Sequence, residues 1–440
     1  MKKERFRTVL WVLTSLLVLS ALTGCTGSAT ETKEKTADQK VTLKYIWWGK
    51  QQRKEDTLKV AELYMKSHPN VKIITEDYSG ADDVAAQLAV ETADQDTADI
   101  IQGDYEFIFN YINRDLVEPL NPYIKNKILS TSDISADALA PGMKNKELYA
   151  VNIAMNSEAV LYDPELFEKA GITVPTEDYT IDDLHATLVQ LKQSITTPDF
   201  YPLGNMLNVN YYLRSRGVKM YKADGTGLGY DDDKILADYF TLYKKWVDEG
   251  LLSKDSLKDW PIDENHPLIT GKAALYFGFS NHTTALSKIA GHAIHLLPFP
   301  QISKEAEGRF IKPSMFLMAS SYSKHPEEAV KFIDFFVNNV EANNILKGER
   351  GVPVSKVISS GLSAKVDEAG KEQYKLLEYL KTHSSPIDPP SPGNAVVLKN
   401  ALQLILSHVI DGTTTPESGA KEYRVQAVDT LQGTKEETAK

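Results

Sequence analysis

The sequence predicts an α/β fold with two cores, on three observations. Strand-like and helix-like patterns alternate from residue 41 onward. The first five run strand, helix, strand, helix, strand, an order that implies right-handed crossovers and a parallel sheet. The chain that remains behind an N-terminal leader has 416 residues (440 less 24) and is 42% hydrophobic over its full length, enough for two cores rather than one.

Taken in order, "VTLKYIW" puts Val41, Leu43, Tyr45 and Trp47 on one side and Thr42 and Lys44 on the other, the period of a strand. A charged helical stretch from Gln51 to Ser67 follows and is stopped by His68-Pro69-Asn70. "VKIITEDY" reads as the second strand, "DDVAAQLAVETA" as the second helix and "ADIIQGD" as the third strand. Thr180 and Asp183 stand at capping-box spacing before "LHATLVQLKQ". Pro326 opens a helix whose Ala329, Phe332, Ile333 and Phe336 recur at helical spacing and face a core. "AVVLKNALQLILSHVI" is a further helix ended at Gly412, and Thr415-Pro416 starts another. No repeat and no low-complexity linker interrupts residues 41–440, so the two cores are expected to be closely joined by more than one crossing.

The leader explains the lone cysteine. Lys2, Lys3, Arg5 and Arg7 precede the uncharged run Val9 to Leu22, and small residues stand before Cys25, the order of an export signal. That run is shorter than a spanning helix, and no later segment offers another. Leu22-Thr23-Gly24-Cys25 resembles the lipobox of bacterial lipoproteins, which implies cleavage after residue 24 and a lipidated Cys25 as the only membrane attachment. Thr26 to Lys40 is too polar to fold and reads as a flexible tether with a reach of roughly 20 Å. Removing residues 1–24 takes out four cations and one anion and moves the formal charge from −11 to −14. An acidic body disfavours nucleic acid and anionic lipid as partners, and by net charge alone favours a neutral or cationic ligand.

Several stretches imitate catalytic or cofactor motifs without their spacing. Gly225, Gly227 and Gly229 lack both the G-x-G-x-x-G spacing and a strand–turn–helix setting, so a loop is expected. Asp231 to Asp233 lack calcium-loop spacing and read as a solvated helix start. His292 and His295 stand three apart at a turn entering a strand, where alternate residues share a face, so no metal pair is expected. Gly271-Lys272 is not a phosphate loop, and no G-x-S-x-G elbow occurs. No cofactor or metal follows from the sequence. Paired carboxylates for sugar hydrolysis stay open, because 60 acidic residues always offer pairs.

What the sequence does offer is aromatic residues beside polar ones at strand ends. Trp47 and Trp48 close the first strand ahead of Gly49, Gln51, Gln52 and Arg53, and Asp104 and Tyr105 close the third. Ligands collect outside the carboxyl ends of such strands. Indole faces with Asp, Gln and Arg suit polyhydroxylated rings. Strand alternation points the two tryptophans to opposite faces, so one of them is expected in the core.

From residue 41 nearly to the end, "VTLKYIWWGKQQR", "ADIIQGDYEFIFNYI", "NSEAVLYDPELFEKAGI", "GKAALYFGFSN", "SKHPEEAVKFIDFFVNN" and "GERGVPVS" together resemble the family 1 extracellular solute-binding proteins, the carbohydrate-binding components of bacterial ABC importers. "YYLRSRG", "YKADGTGLGY", "KPSMF" and "PPSPG" are similar to the subgroup associated with pectin-derived, rhamnogalacturonan-type oligosaccharides. A second glycine often stands in the family where this chain has Lys50, and a cation there favours an acidic sugar.

The resemblance implies a two-lobed periplasmic-binding-protein-like fold of type II, each lobe a mainly parallel sheet flanked by helices and joined by hinge strands. Crossings are expected near Asn152, Ser314 and Gly351. Lobe 1 would be residues 41–152 plus 314–350, and lobe 2 residues 153–313 plus 351–440, behind a signal at 1–24 and a tether at 25–40. Lobe 1 would bring Trp47, Trp48, Arg53 and Asp104 to the ligand, with Glu349 or Arg350 from beside the hinge. Lobe 2 would bring Asn156, Tyr211, Arg214, Phe279 and Asn281. Arg214 and Arg350 fit structural ion pairs equally well. The implied activity is capture and delivery without chemistry, by a monomer that closes on an oligosaccharide and presents it to a permease. The rivals are a membrane-anchored glycoside hydrolase or lyase, and a peptide-binding lipoprotein of the same architecture.

Overall fold

The computed structural model describes residues 40–438 apart from 50, 95, 259 and 305. The expected signal, Cys25, the expected tether as far as residue 39, and Lys50 lie outside the described residues. No helix among the described residues is long and apolar enough to cross a membrane.

Among the described residues twelve strands fall at Val41–Trp48 (β1), Val71–Tyr78 (β2), Ile100–Gly103 (β3), Met143–Lys144 (β4), Glu147–Leu148 (β5), Val151–Asn152 (β6), Ala154–Tyr162 (β7), Leu275–Phe279 (β8), His295–Leu297 (β9), Ile311–Pro313 (β10), Phe316–Ala319 (β11) and Val352–Pro353 (β12). The first five-stranded sheet has the order β2-β1-β3-β11-β6. β1 runs parallel to β2, from Val41 opposite Val71 to Trp48 opposite Tyr78, and parallel to β3. β11 joins the sheet antiparallel to β3 and β6.

The helices Gln52–Ser67 and Ala81–Asp94 link the first three strands as the alternation predicts. Helices cover both faces of this sheet. Ile46 and Trp48 are therefore buried along with Leu43, Tyr45 and Trp47, and the two-residue period holds only at the N-terminal end of β1. The helix Pro326–Asn338 turns Ala329, Phe332, Ile333 and Phe336 inward, with Phe332 and Phe336 edge-on to Tyr45.

The second sheet is built on β7, and here the expected direction is corrected. Every pairing of β7, with β8, β9, β10 and β12, is antiparallel. The reason is topological. Val160 is opposite Phe277 on one edge and Leu297 on the other, so β7 is wedged between the two strands joined by the helix His282–Ala290. Those two strands run parallel to each other, and the long crossing strand enters between them the opposite way. The helices Lys234–Asp248, Ala395–Ile410 and Pro416–Thr438 pack against one another in this lobe's core, and the Thr180–Asp183 capping box is present.

The chain passes between the sheets at Ile153, between β6 and β7; at Ser314–Met315, between β10 and β11; and at Gly351, ahead of β12. Gly351 has φ +116°, and a Cβ there would lie 2.6 Å from the Met155 carbonyl oxygen. No side chain fits that backbone or that space. Gly351→Ala is expected to destabilise the protein by about 1–3 kcal/mol, read from its urea midpoint; an unchanged midpoint would show that the crossing relaxes freely.

Candidate functional site

Between the lobes lies a recess of 230 Å³. Lobe 1 contributes Asp104, Tyr105 and Glu106, the loop that follows the carboxyl end of β3, where an open α/β sheet collects ligands. Lobe 2 contributes Glu158 of β7, Arg214 at the end of the short helix Val209–Arg214, Phe279 at the end of β8, and Phe310 and Lys312 around β10. The 219–223 and 387–391 loops close the sides. A second groove of 560 Å³ continues from it past the Ala395–Ile410 helix and shares Glu106, Glu158, Asn208, Tyr221 and Phe279. The continuous shape suits an elongated ligand better than a single compact one. The lobes touch across the recess, where the Tyr105 hydroxyl donates to the Asp388 carbonyl at 3.4 Å and Lys312 stands 3.9 Å from Asp104.

Among the described residues four carboxylates line the recess, Asp104, Glu106, Glu158 and Asp388, against four cations, Arg214, Lys219, Lys222 and Lys312. Arg214 is the most tightly held of the cations. It pairs with Asp388 at 2.6 Å, donates to Ser385, Pro386 and Gly308, and lies 4.9 Å over the Phe310 ring. Lys312 stands 4.8 Å over the Phe279 ring. Burial raises the Glu106 carboxyl, and Asp104 and Asp82 push it further the same way. Burial pushes Glu158 up to about 7, against the opposing pull of Asn208, Lys312 and Arg214. Aromatic faces set among directed hydrogen-bonding groups are what a sugar ring requires.

Of the residues singled out from sequence, Asp104, Arg214 and Phe279 line this recess. The others do not, for identifiable reasons. Trp47 is fully buried against Tyr45, and Trp48 is also core, because β1 is covered on both faces. Tyr211 is buried behind the groove, its hydroxyl donating to the Pro300 carbonyl at 2.8 Å and its ring edge-on to Phe299.

Arg53, Asn156, Asn281, Glu349 and Arg350 are brought together, but as one buried network at the hinge. Glu349 accepts from Arg53 Nε at 2.8 Å and from Arg350 at 3.4 Å. Arg350 also donates to Gln102 at 3.1 Å and Thr57 at 2.7 Å. Asn156 donates to Asn281 at 3.1 Å, and Asn281 donates to the Glu349 carbonyl at 3.4 Å. Burial works to raise the Glu349 carboxyl, yet Arg53 and Arg350 outweigh it and hold it below its ordinary value. The network ties the first helix and β3 of lobe 1 to the 348–351 loop, to β7 and to the start of the His282–Ala290 helix of lobe 2.

Sequence reasoning passed over Glu158, Phe310, Lys312, Tyr221 and Asp388. A signal for some of them was present: "YKADGTGLGY" holds Tyr221, "KPSMF" begins at Lys312, and "PPSPG" supplies Pro389, Pro390 and Ser391. The imitation motifs resolve as expected loops and caps. Asp232 accepts from the Lys234 amide, Asp233 pairs with Arg424, and His292 and His295 face separate partners, Asp163 and Glu372. Among the described residues no group of three or more His, Cys, Asp or Glu is placed to hold a metal.

Comparison with known proteins places this architecture. An ABC transporter extracellular-binding protein of Pyrococcus horikoshii is 29% identical over 366 residues, 77% of this chain and 79% of that one. A binding protein of Brucella abortus is 24% identical over 262 residues, and the match covers 57% of this chain and only 61% of that relative's length. The solved structure of a periplasmic oligogalacturonide-binding protein of Yersinia enterocolitica, in complex with saturated digalacturonic acid, superposes with a TM-score of 0.76 at 22% identity, over 89% of this chain and 99% of that one. The sequence pattern that describes bacterial extracellular solute-binding proteins matches residues 47–342, most of the two lobes, and this chain belongs to that family.

Proposed function

We propose that this chain is the extracytoplasmic substrate-binding component of an ABC importer, and that it captures an acidic oligosaccharide, of galacturonate type, in the interlobe recess and hands it unchanged to a permease. The observation that carries the reading is the lining of that recess: Tyr105, Tyr221, Phe279 and Phe310 supply aromatic side chains, and Arg214, Lys219, Lys222 and Lys312 supply cations among them. A row of aromatic plates with interspersed cations fits a chain of uronate rings better than a peptide, whose main chain calls for paired backbone donors and acceptors. The Yersinia neighbour's digalacturonate and the Pyrococcus relative's transporter context agree with it.

In this reading Asp104, Arg214 and Phe279 touch the sugar, while Trp47, Trp48, Arg53, Asn156, Tyr211, Asn281, Glu349 and Arg350 shape the lobes and hinge behind it. The lobes are residues 41–152 with 314–350 and residues 153–313 with 351–440. The mature protein works as a monomer tethered to the membrane through lipidated Cys25.

The test is the melting temperature of residues 27–440 against a panel of saturated and unsaturated galacturonate oligosaccharides, neutral oligosaccharides and peptides. A ligand at 100 times its Kd stabilises by about 2.7 kcal/mol, which a melt resolves. A shift with galacturonate oligosaccharides, recovered intact, is expected. A shift with peptides alone, or new reducing or unsaturated ends on the sugar, would replace the reading by one of its rivals.

A further inference from the structure

Glu158 stands where the recess and its continuing groove meet, and it lines both. It sits on β7 directly opposite Phe279 of β8, so its carboxylate emerges beside the aromatic plate proposed above for a sugar ring. One oxygen, Oε1, accepts from the Asn208 side-chain amide. The other, Oε2, is buried and has no hydrogen-bond partner among the described residues. A buried carboxylate oxygen left unpaired is costly, and such groups ordinarily find a donor or a proton.

The charges facing Glu158 make the choice between them depend on the ligand. Lys312 of β10 and Arg214 of the Val209–Arg214 helix face it from lobe 2, Asp104 and Glu106 from the loop after β3, and Lys219, Lys222 and Asp388 from the flanking loops. Several of these cations are already engaged: Arg214 and Lys219 pair with Asp388, and Lys312 stands by Asp104. Among the described residues the recess lining is balanced, four against four, before any ligand enters, and the groove that Glu158 also lines adds Asp82, Lys258 and Lys399. A uronate brings another anion into this balanced recess. A neutral sugar does not.

We propose that Glu158 is a specificity-determining residue that takes up one proton from solvent when an acidic sugar binds, so that Oε2–H donates to a carboxylate oxygen of the ligand. The inference rests on the acidic-oligosaccharide reading above. Protonation removes one negative charge from the site as the ligand adds one, and it converts the unpaired acceptor into the donor that a carboxylate needs. The free protein is poised for this, because burial already holds the Glu158 carboxyl near neutrality. A neutral sugar offers hydroxyl donors and acceptors to either protonation state, so its binding carries no such requirement.

The experiment is titration calorimetry of the full chain in mild detergent with digalacturonate, in two buffers of different ionisation heat, at pH 6, 7 and 8. Uptake of a fraction of one proton is expected at pH 7, rising toward one at pH 8. Affinity should fall about tenfold between pH 6 and pH 8, as a site that half-protonates near 7 when free requires. Glu158→Gln holds a donor at that position without titrating, and its affinity for digalacturonate at pH 8 should exceed that of the natural chain by about tenfold, with no buffer dependence of the heat. Binding of digalacturonate with no proton uptake, and equal affinity at pH 6 and pH 8, would overturn the role given to Glu158 while leaving the transport reading intact. No binding of digalacturonate at any pH would instead overturn the reading on which it rests. The buffer test on the natural chain stands whether or not the variant folds.

Discussion

Replacing Glu349 with alanine is expected to lower stability by about 3–5 kcal/mol, the largest single effect in this protein. The carboxylate is held between Arg53 and Arg350, and the ion-paired side chains of Arg53 and Glu349 are only 12% and 11% exposed. Removing the anion strands two cations in a site with little water, and an uncompensated buried charge costs far more than an intact pair contributes. Arg350 keeps its bonds to Gln102 and Thr57, but both partners are neutral. The double change Arg53→Met with Glu349→Leu removes one cation together with the anion, and it should recover a large part of the loss. Urea unfolding followed by tryptophan fluorescence reads both variants. A cost below 1 kcal/mol for Glu349→Ala would show that water reaches the hinge and that the network does not hold the lobes.

Acid should unfold the protein earlier than its carboxylates alone would require, because two histidines, one buried and one partly buried, are held neutral. His266 is fully buried, its ring 4.4 Å from that of Tyr276, with Nδ1 accepting from the Leu268 amide. Burial, helped by His282, holds its pKa down at about 3. Burial and then Arg53 hold His282 at about 4. Both values lie below the ordinary 6.5, so the unfolded chain binds protons that the fold excludes. The stability these rings supply is complete above pH 6.5 and is lost as pH falls toward 4 and then 3. At pH 4.5 each histidine should have withdrawn about 2–3 kcal/mol relative to pH 7, at 1.36 kcal/mol per pK unit. His266→Leu should flatten the stability profile between pH 6.5 and 4.5 by about that amount. A profile unchanged by the substitution would mean that His266 takes up its proton within the folded protein.

The parts of this protein that were legible in its sequence are those set by local periodicity. The strand at residues 41–48, the helix stopped at His68-Pro69 and the Pro326 helix with its inward phenylalanines all follow from spacing within a dozen residues. The direction of the second sheet does not, because nothing in β7 itself says that β8 and β9 will flank it from opposite edges. The recess was legible only in outline. Its lining comes from positions near 104, 158, 214, 279, 310 and 388, and most of these lie at strand ends and in loops, where no period marks a functional side chain. Trp47 and Trp48 looked like sugar plates because of their strand-end position, but a strand covered by helices on both faces buries both residues. Arg53 is singled out for its place after the strand-end tryptophans and Glu349 or Arg350 for theirs beside the hinge, and the structure pairs these side chains with one another.

The function proposed for this protein places an acidic oligosaccharide between the lobes, against Phe279 and Arg214. The most direct measurement is a calorimetric titration of residues 27–440 with digalacturonate, for the natural chain and for Phe279→Ala and Arg214→Ala. Stoichiometric binding by the natural chain, at least tenfold weaker in each variant and with the sugar recovered intact, is the predicted result. Equal affinity in all three chains, or no heat of binding for the natural one, would contradict the claim.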